Sequence, residues 1–171
     1  MNYNYTAYDL RISSEIELPE LEICKRDLKA DLSICLALVP EFIDPINKAD
    51  YCQSNGESIL INFPGILRAL VDAKGTRIQL QALDSNALSV RCILFSSVFA
   101  AVLYTRKFFL MHAAGQIFKN KVYAFAGQSG AGKSTLCASL TSRGYLSLSD
   151  DLLALSSETS YQKVSPGVPR L

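Results

Sequence analysis

Histidine is nearly absent: His112 is the only one in 171 residues. The five cysteines, Cys24, Cys35, Cys52, Cys92 and Cys137, are odd in number and scattered, with no CxxC pair and no zinc spacing toward His112. That excludes a zinc or disulfide framework, and the thiols read as buried free cysteines of a reducing cytoplasm. An excess of either charge is also missing. Seventeen Lys and Arg face 16 Asp and Glu, so no overall basic field points to nucleic acid and no acidic tail is present. The start, MNYNYTAYDLRISSEIELPEL, lacks the basic segment and apolar run of a secretory signal. The most apolar stretch, Cys92 to Tyr104, has 13 residues between Arg91 and Arg106. It is shorter than the roughly 18 to 20 that span a bilayer, so a buried helix is expected and no membrane anchor. Repeats and low-complexity blocks are missing as well, and a chain of this length can bury roughly 70% of its unfolded surface.

What is present changes rhythm near residue 85. Before it, Asp31 to Val39, Ser58 to Phe63, Leu67 to Ala73 and Thr76 to Leu83 read as strands. The last two flank Lys74-Gly75 as a hairpin with one buried face. Residues 1–85 therefore form a small antiparallel β-rich unit, interrupted by Pro40, Pro45 and a polar surface loop from Asn47 to Ser58. From Asn86 the apolar residues recur at helical steps, Leu88, Cys92, Phe95, Phe99, Val102 and Leu103, predicting about five turns capped by Ser85 or Asn86. Two strand-like runs, FFLMHAAGQIF and KVYAFA, follow and are joined by Lys119-Asn120-Lys121 as a hairpin, and the second leads into the most informative segment of the chain.

That segment is FAGQSGAGKSTLCASL. Gly127, Gln128, Ser129, Gly130, Ala131, Gly132, Lys133 and Ser134 satisfy G-x-x-x-x-G-K-[ST], with a strand before and a helix after. Glycines let backbone N–H groups turn inward around an anion, and the following helix offers its positive end. Lys133 can reach the β- and γ-phosphates, and the Ser134 hydroxyl can ligate Mg²⁺. The helix stops at Arg143-Gly144, and the strand YLSLS carries Asp150 and Asp151 at its end. In a parallel α/β sheet that end lies beside the loop. One carboxylate is then placed to hold Mg²⁺ and the other to take a hydroxyl proton.

His112 precedes Lys133 by 21 residues, and Asp150 and Asp151 follow it by 17 and 18. With LMHAAGQIFKNKVYAFAGQSGAGKST, SRGYLSLSDDLLAL and PGVPRL, residues 86–171 resemble the catalytic domain of the HPr kinase/phosphorylase family, and most closely the HPr-kinase-like serine kinases of lasso-peptide-type maturation systems. Thr135 stands where HPr kinases proper usually carry Glu. The resemblance implies an α/β P-loop domain, a central sheet with flanking helices, behind the β-rich unit, and a domain continuing beyond Leu171. It further implies ATP- and Mg²⁺-dependent phosphorylation of a serine on a protein or peptide in the cytoplasm, and an oligomer such as the hexamer of HPr kinases proper. By that resemblance residues Gly127 to Thr135 bind the triphosphate, Ser134 and Asp150 hold the metal, Asp151 accepts the proton and His112 lines the site. Two rival readings are a nucleotide-binding module without catalysis and another P-loop small-molecule kinase or ATPase.

Overall fold

In the computed structural model, residues 2–25, 29–41, 43–128, 130–149, 152–156 and 163–168 are described. Their strands are β1 (Tyr3–Ala7), β2 (Leu10–Ser14), β3 (Glu22–Ile23), β4 (Leu32–Leu36), β5 (Asn47–Ala49), β6 (Cys52–Ser54), β7 (Ser58–Phe63), β8 (Leu67–Asp72) and β9 (Arg77–Ala82). After helix α1 (Leu88–Thr105) come β10 (Phe109–Phe118), β11 (Lys121–Ala126), helix α2 (Lys133–Ser142), β12 (Leu146–Ser149), β13 (Leu152–Ser156) and β14 (Lys163–Ser165). The first nine strands form one mixed sheet in the order β3-β1-β2-β4-β9-β8-β7-β6-β5, and the rest form a second sheet in the order β11-β10-β13-β14, with β12 also on β10.

The expected α/β domain, a central sheet flanked by helices, is not what forms. The chain is mostly β with two helical segments among the described residues. The reason lies in the connections. Lys119 and Asn120, both at positive φ (49° and 59°), make a two-residue turn that folds β11 back antiparallel onto β10. β13 is likewise antiparallel to β10, and β14 to β13. The strand–loop–helix motif is thus carried on an antiparallel sheet.

The first sheet is also larger than the expected small antiparallel unit, and it is mixed: β4 runs parallel to both β2 and β9. Tyr8 and Asp9, at φ 53° and 60°, turn β1 into β2. The expected loop between Asn47 and Ser58 instead holds the β5–β6 hairpin, pinned where the Tyr51 ring stacks on Phe63 at 4.5 Å. β8 shows plain alternation, with Leu67, Ala69 and Val71 inside and Arg68 and Asp72 toward solvent.

Helix α1 lays Val90, Leu94, Val98, Phe99, Val102 and Leu103 into a core shared with Ile12, Leu32, Ile34, Ile78 and Leu80 of the sheet. Each such side chain contributes about 1.5–3 kcal/mol on burial. Neither Ser85 nor Asn86 caps the helix. Ala87 occupies the cap position without a side-chain bond, and the Arg91 guanidinium donates to the Asn86 carbonyl. A π-helical turn at Leu94–Val98 widens the middle of the helix. The helix is longer than its charge-free stretch because Arg91 lies inside it, paired with Glu20 at 2.7 Å. Among the described residues it is the one helix long and apolar enough, by length and composition, to cross a membrane. In the fold 44% of it is buried against the sheet.

Charged side chains tie the pieces together. Arg11 grips Asp31 with two donors at 2.8 Å, and that bond holds the Asp31 carboxyl down at about 2. Asp9 accepts from Ser165 at 2.6 Å and from Lys163 at 2.7 Å, joining the β1–β2 turn to β14. Partial burial pushes the Asp9 carboxyl up, but these two bonds outweigh it and leave it below its usual range.

Candidate functional site

Two strands set the site. β11 and β12 are each antiparallel to β10 and flank it on opposite sides, so they run in the same direction and end at the same end of the sheet. Ala126, the last residue of β11, pairs with Ala113, and Ser149, the last of β12, pairs with Gly115. His112, the next residue out along β10, pairs with Leu152 at the start of β13. The topology thus gathers the start of the glycine loop, His112, the end of β12 and the start of β13 at one sheet end, although the sheet is antiparallel. His112 is exposed, and strand alternation puts it on the same face as Gln116, the face on which α2 packs. Asp150, Asp151 and Ser129 lie outside the described residues.

Gly127, Gln128, Gly130, Ala131, Gly132 and Thr135 are exposed, and Lys133 and Ser134 half-buried. Gly130 and Gly132 sit at φ 82° and 83°, a conformation that glycine adopts without strain, and a Cβ on either would meet nothing within 4 Å. Ala131 N–H closes a turn on the Gln128 carbonyl at 3.1 Å. The N–H groups of Gly130, Gly132, Lys133, Ser134 and Thr135 have no acceptor among the described residues. Among the described residues these five donors gather at the start of a ten-residue helix, the end at which an α-helix leaves N–H groups unpaired. Lys133 Nζ donates to the Gly127 and Gln128 carbonyls at 2.9 and 3.2 Å. An arriving phosphate would exchange those neutral acceptors for charged ones.

Helix α2 is held by one buried polar residue. Gln116, 3% exposed, donates from Nε2 to the Cys137 carbonyl at 3.1 Å and to Thr141 Oγ1 at 3.2 Å. Its Oε1 is buried without a partner among the described residues. Across the sheet, Ser149 Oγ donates to the Leu152 carbonyl at 2.8 Å and ties the end of β12 to the start of β13.

Ser134, the first residue after Lys133 in α2, offers a hard oxygen of the kind Mg²⁺ takes together with phosphate oxygens. Among the described residues no three His, Cys, Asp or Glu side chains cluster as a metal site. Two clefts, of about 370 and 330 Å³, lie on the nine-stranded sheet, one beside Glu41 and Arg68 and the other beside Asn47 and Lys107. Neither includes a loop residue.

One signal is hidden by the near-zero net charge. From Ser85 to Ser149 there are seven Lys and Arg and no Asp or Glu, while residues 1–84 carry 13 acids against 8 bases. Totals over the chain cancel; position along it reveals a cationic P-loop half. Comparison with family models, curated proteins and solved structures finds no significant match for this chain.

Proposed function

We propose that the chain binds ATP with Mg²⁺ at the Gly127 to Thr135 loop and transfers the γ-phosphoryl group to a serine hydroxyl of a peptide or protein. The observation that carries this is the set of five loop and helix N–H groups without acceptors among the described residues, beside Lys133. In the transfer, the serine oxygen forms a bond to the γ-phosphorus. The bond from that phosphorus to the β–γ bridging oxygen breaks, and ADP leaves with the electron pair. Asp151 accepts the hydroxyl proton, Lys133 and the loop N–H groups hold the phosphate oxygens, and Ser134 and Asp150 hold the metal, which neutralises charge on the phosphates when bound. His112, exposed at the same sheet end, lines the approach. The reading belongs to a cytoplasmic protein, where ATP is supplied and five free cysteines remain reduced.

A second reading, nucleotide binding without turnover, is favoured by the openness around Gly130 and Gly132, because in-line transfer requires a positioned acceptor and exclusion of water. The test measures Mg·ATP affinity and ATP turnover on the full chain, on Lys133→Ala and on Asp151→Asn. The kinase reading expects Lys133→Ala to weaken binding by about 10- to 100-fold, the loss of one charge-assisted contact. It expects Asp151→Asn to bind but not turn over. Binding with no Asp151-dependent turnover selects the second reading, and an unmodified chain that fails to bind Mg·ATP eliminates both.

A further inference from the structure

Strand β11 is an edge: among the described residues its one partner is β10. The two-residue turn at Lys119-Asn120 closes on the Phe118–Lys121 pair. In an antiparallel ladder with such a turn, the pairs 118/121, 116/123 and 114/125 exchange hydrogen bonds. The N–H and C=O groups of Val122, Ala124 and Ala126 consequently point away from β10. Three donors and three acceptors form an open row that runs straight into Gly127.

The surface along this row has its own chemistry. Lys121, Tyr123 and Phe125 share the face of Gln116, and beside them Phe118 and Tyr145 pack edge to face at 5.8 Å. Tyr123 is 48% exposed and Phe118 41%, an aromatic patch open to solvent. Lys119 sits 5.2 Å over the Phe118 ring. Lys119, Lys121 and Arg143 have no carboxylate within ion-pair distance among the described residues, and the acid-free sequence from 85 to 149 supplies none nearby. The opposite face of the strand shows only Val122, Ala124 and Ala126.

We infer that the free edge of β11 docks the acceptor as an added strand: an extended peptide with acidic residues on the side that meets Lys119 and Lys121, and small apolar residues on the side that meets Val122 and Ala124. Main-chain bonds to the edge supply affinity and the alternating side chains supply selection. The inference rests on the proposed peptide-kinase reading and deepens it, since a strand laid on β11 is carried along the sheet to the mouth of the phosphate loop. The open backbone row favours a peptide over single-stranded nucleic acid, which would use the aromatic rings and cations but not the row.

The experiment titrates the full chain, without nucleotide, into a fluorescein-labelled octapeptide of alternating Val and Glu and follows anisotropy. Binding is expected, and it should fall at least tenfold for the same peptide with every Glu replaced by Lys, and for a peptide carrying Pro at alternate positions. On the protein side, Ala124→Pro removes an outward N–H without touching the β10 ladder. It should weaken binding at least tenfold with an unchanged melting temperature, as should the double variant Lys119→Glu, Lys121→Glu. Equal binding of the Pro-containing peptide, or indifference to the charge reversal, overturns the inference. So does tighter binding of a dT12 oligonucleotide than of the acidic peptide, or a dimer of the free chain that Ala124→Pro converts to monomer. Lys133→Ala should leave peptide binding intact. A failure of the phosphate site and a failure of the docking edge are therefore distinguishable.

Discussion

Substituting Gly75 with alanine tests how the two halves of the core meet. Gly75 turns β8 into β9 at φ 61°, and its carbonyl accepts from Arg106 Nε at 2.8 Å, just past the end of α1. A Cβ there would overlap Thr105 Oγ1 and lie 2.8 Å from the Val102 carbonyl oxygen. Thr105 cannot simply swing away, because its hydroxyl donates to that same carbonyl at 2.7 Å, and the second obstacle is backbone. Left-handed backbone costs a non-glycine residue about 1–2 kcal/mol, and forcing extra volume into a packed contact adds about 1–3 kcal/mol. The sum is about 2–5 kcal/mol. Gly65 provides the control: φ is 76°, and a Cβ there meets nothing within 4 Å, so only the first cost applies. For a chain of this size each kcal/mol moves the melting temperature by about 2–4 °C. Thermal unfolding followed by circular dichroism should then show Gly75→Ala lowered by about 4–20 °C and Gly65→Ala by about 2–8 °C, with Gly75→Ala the lower of the two. Equal shifts for the two variants would refute the placement of the β8–β9 turn under the end of α1.

Two further outcomes follow from particular side chains. Asp31 titrates at about 2 in the folded chain, below the roughly 3.9 of an unfolded Asp. Its contribution is therefore complete above pH 4 and lost as pH falls from 4 toward 2. Urea midpoints of Asp31→Asn should lie below those of the unmodified chain at pH 6 and converge with them by pH 2, whereas a constant gap would contradict the Arg11 pairing. At Gln116, leucine removes two donors but also the buried Oε1 that lacks a partner. The two effects offset, so Gln116→Leu should cost less than about 1 kcal/mol, while Gln116→Ala leaves a void and costs about 2–3 kcal/mol. Urea unfolding separates them, and a leucine variant less stable than the alanine one would overturn this account of how α2 is held.

How much of this was legible in the sequence depends on how local each feature is. The pairs β8–β9 and β10–β11 follow from alternation around short turns, and α1 and α2 from helical spacing and from Gly144 at the end of α2. Pairings that span long separations were not legible: β4 sits between β2 and β9 with parallel neighbours that no local pattern announces. The β1–β2 turn was hidden because Tyr8 and Asp9, rather than Asn-Gly, adopt positive φ. The P-loop motif describes a strand, a loop and a helix, and those three form as read; it does not dictate the sheet that receives them. The antiparallel frame came from the Lys119-Asn120 turn, which the motif does not contain. For the site, the strand before the glycine loop and the helix after it could be read from sequence, but the cationic half required counting charges by position, and the open edge of β11 required the register.

The central claim is that the backbone of Gly130 to Thr135 holds a triphosphate, and amide resonances observe that backbone directly. In ¹H–¹⁵N spectra of the full chain, Mg·ATP should shift the amides of Gly130, Gly132, Lys133, Ser134 and Thr135 saturably, and adenosine at the same concentration should not. Amides in the loop that stay still, or shifts confined to the cleft beside Glu41 and Arg68, would contradict it.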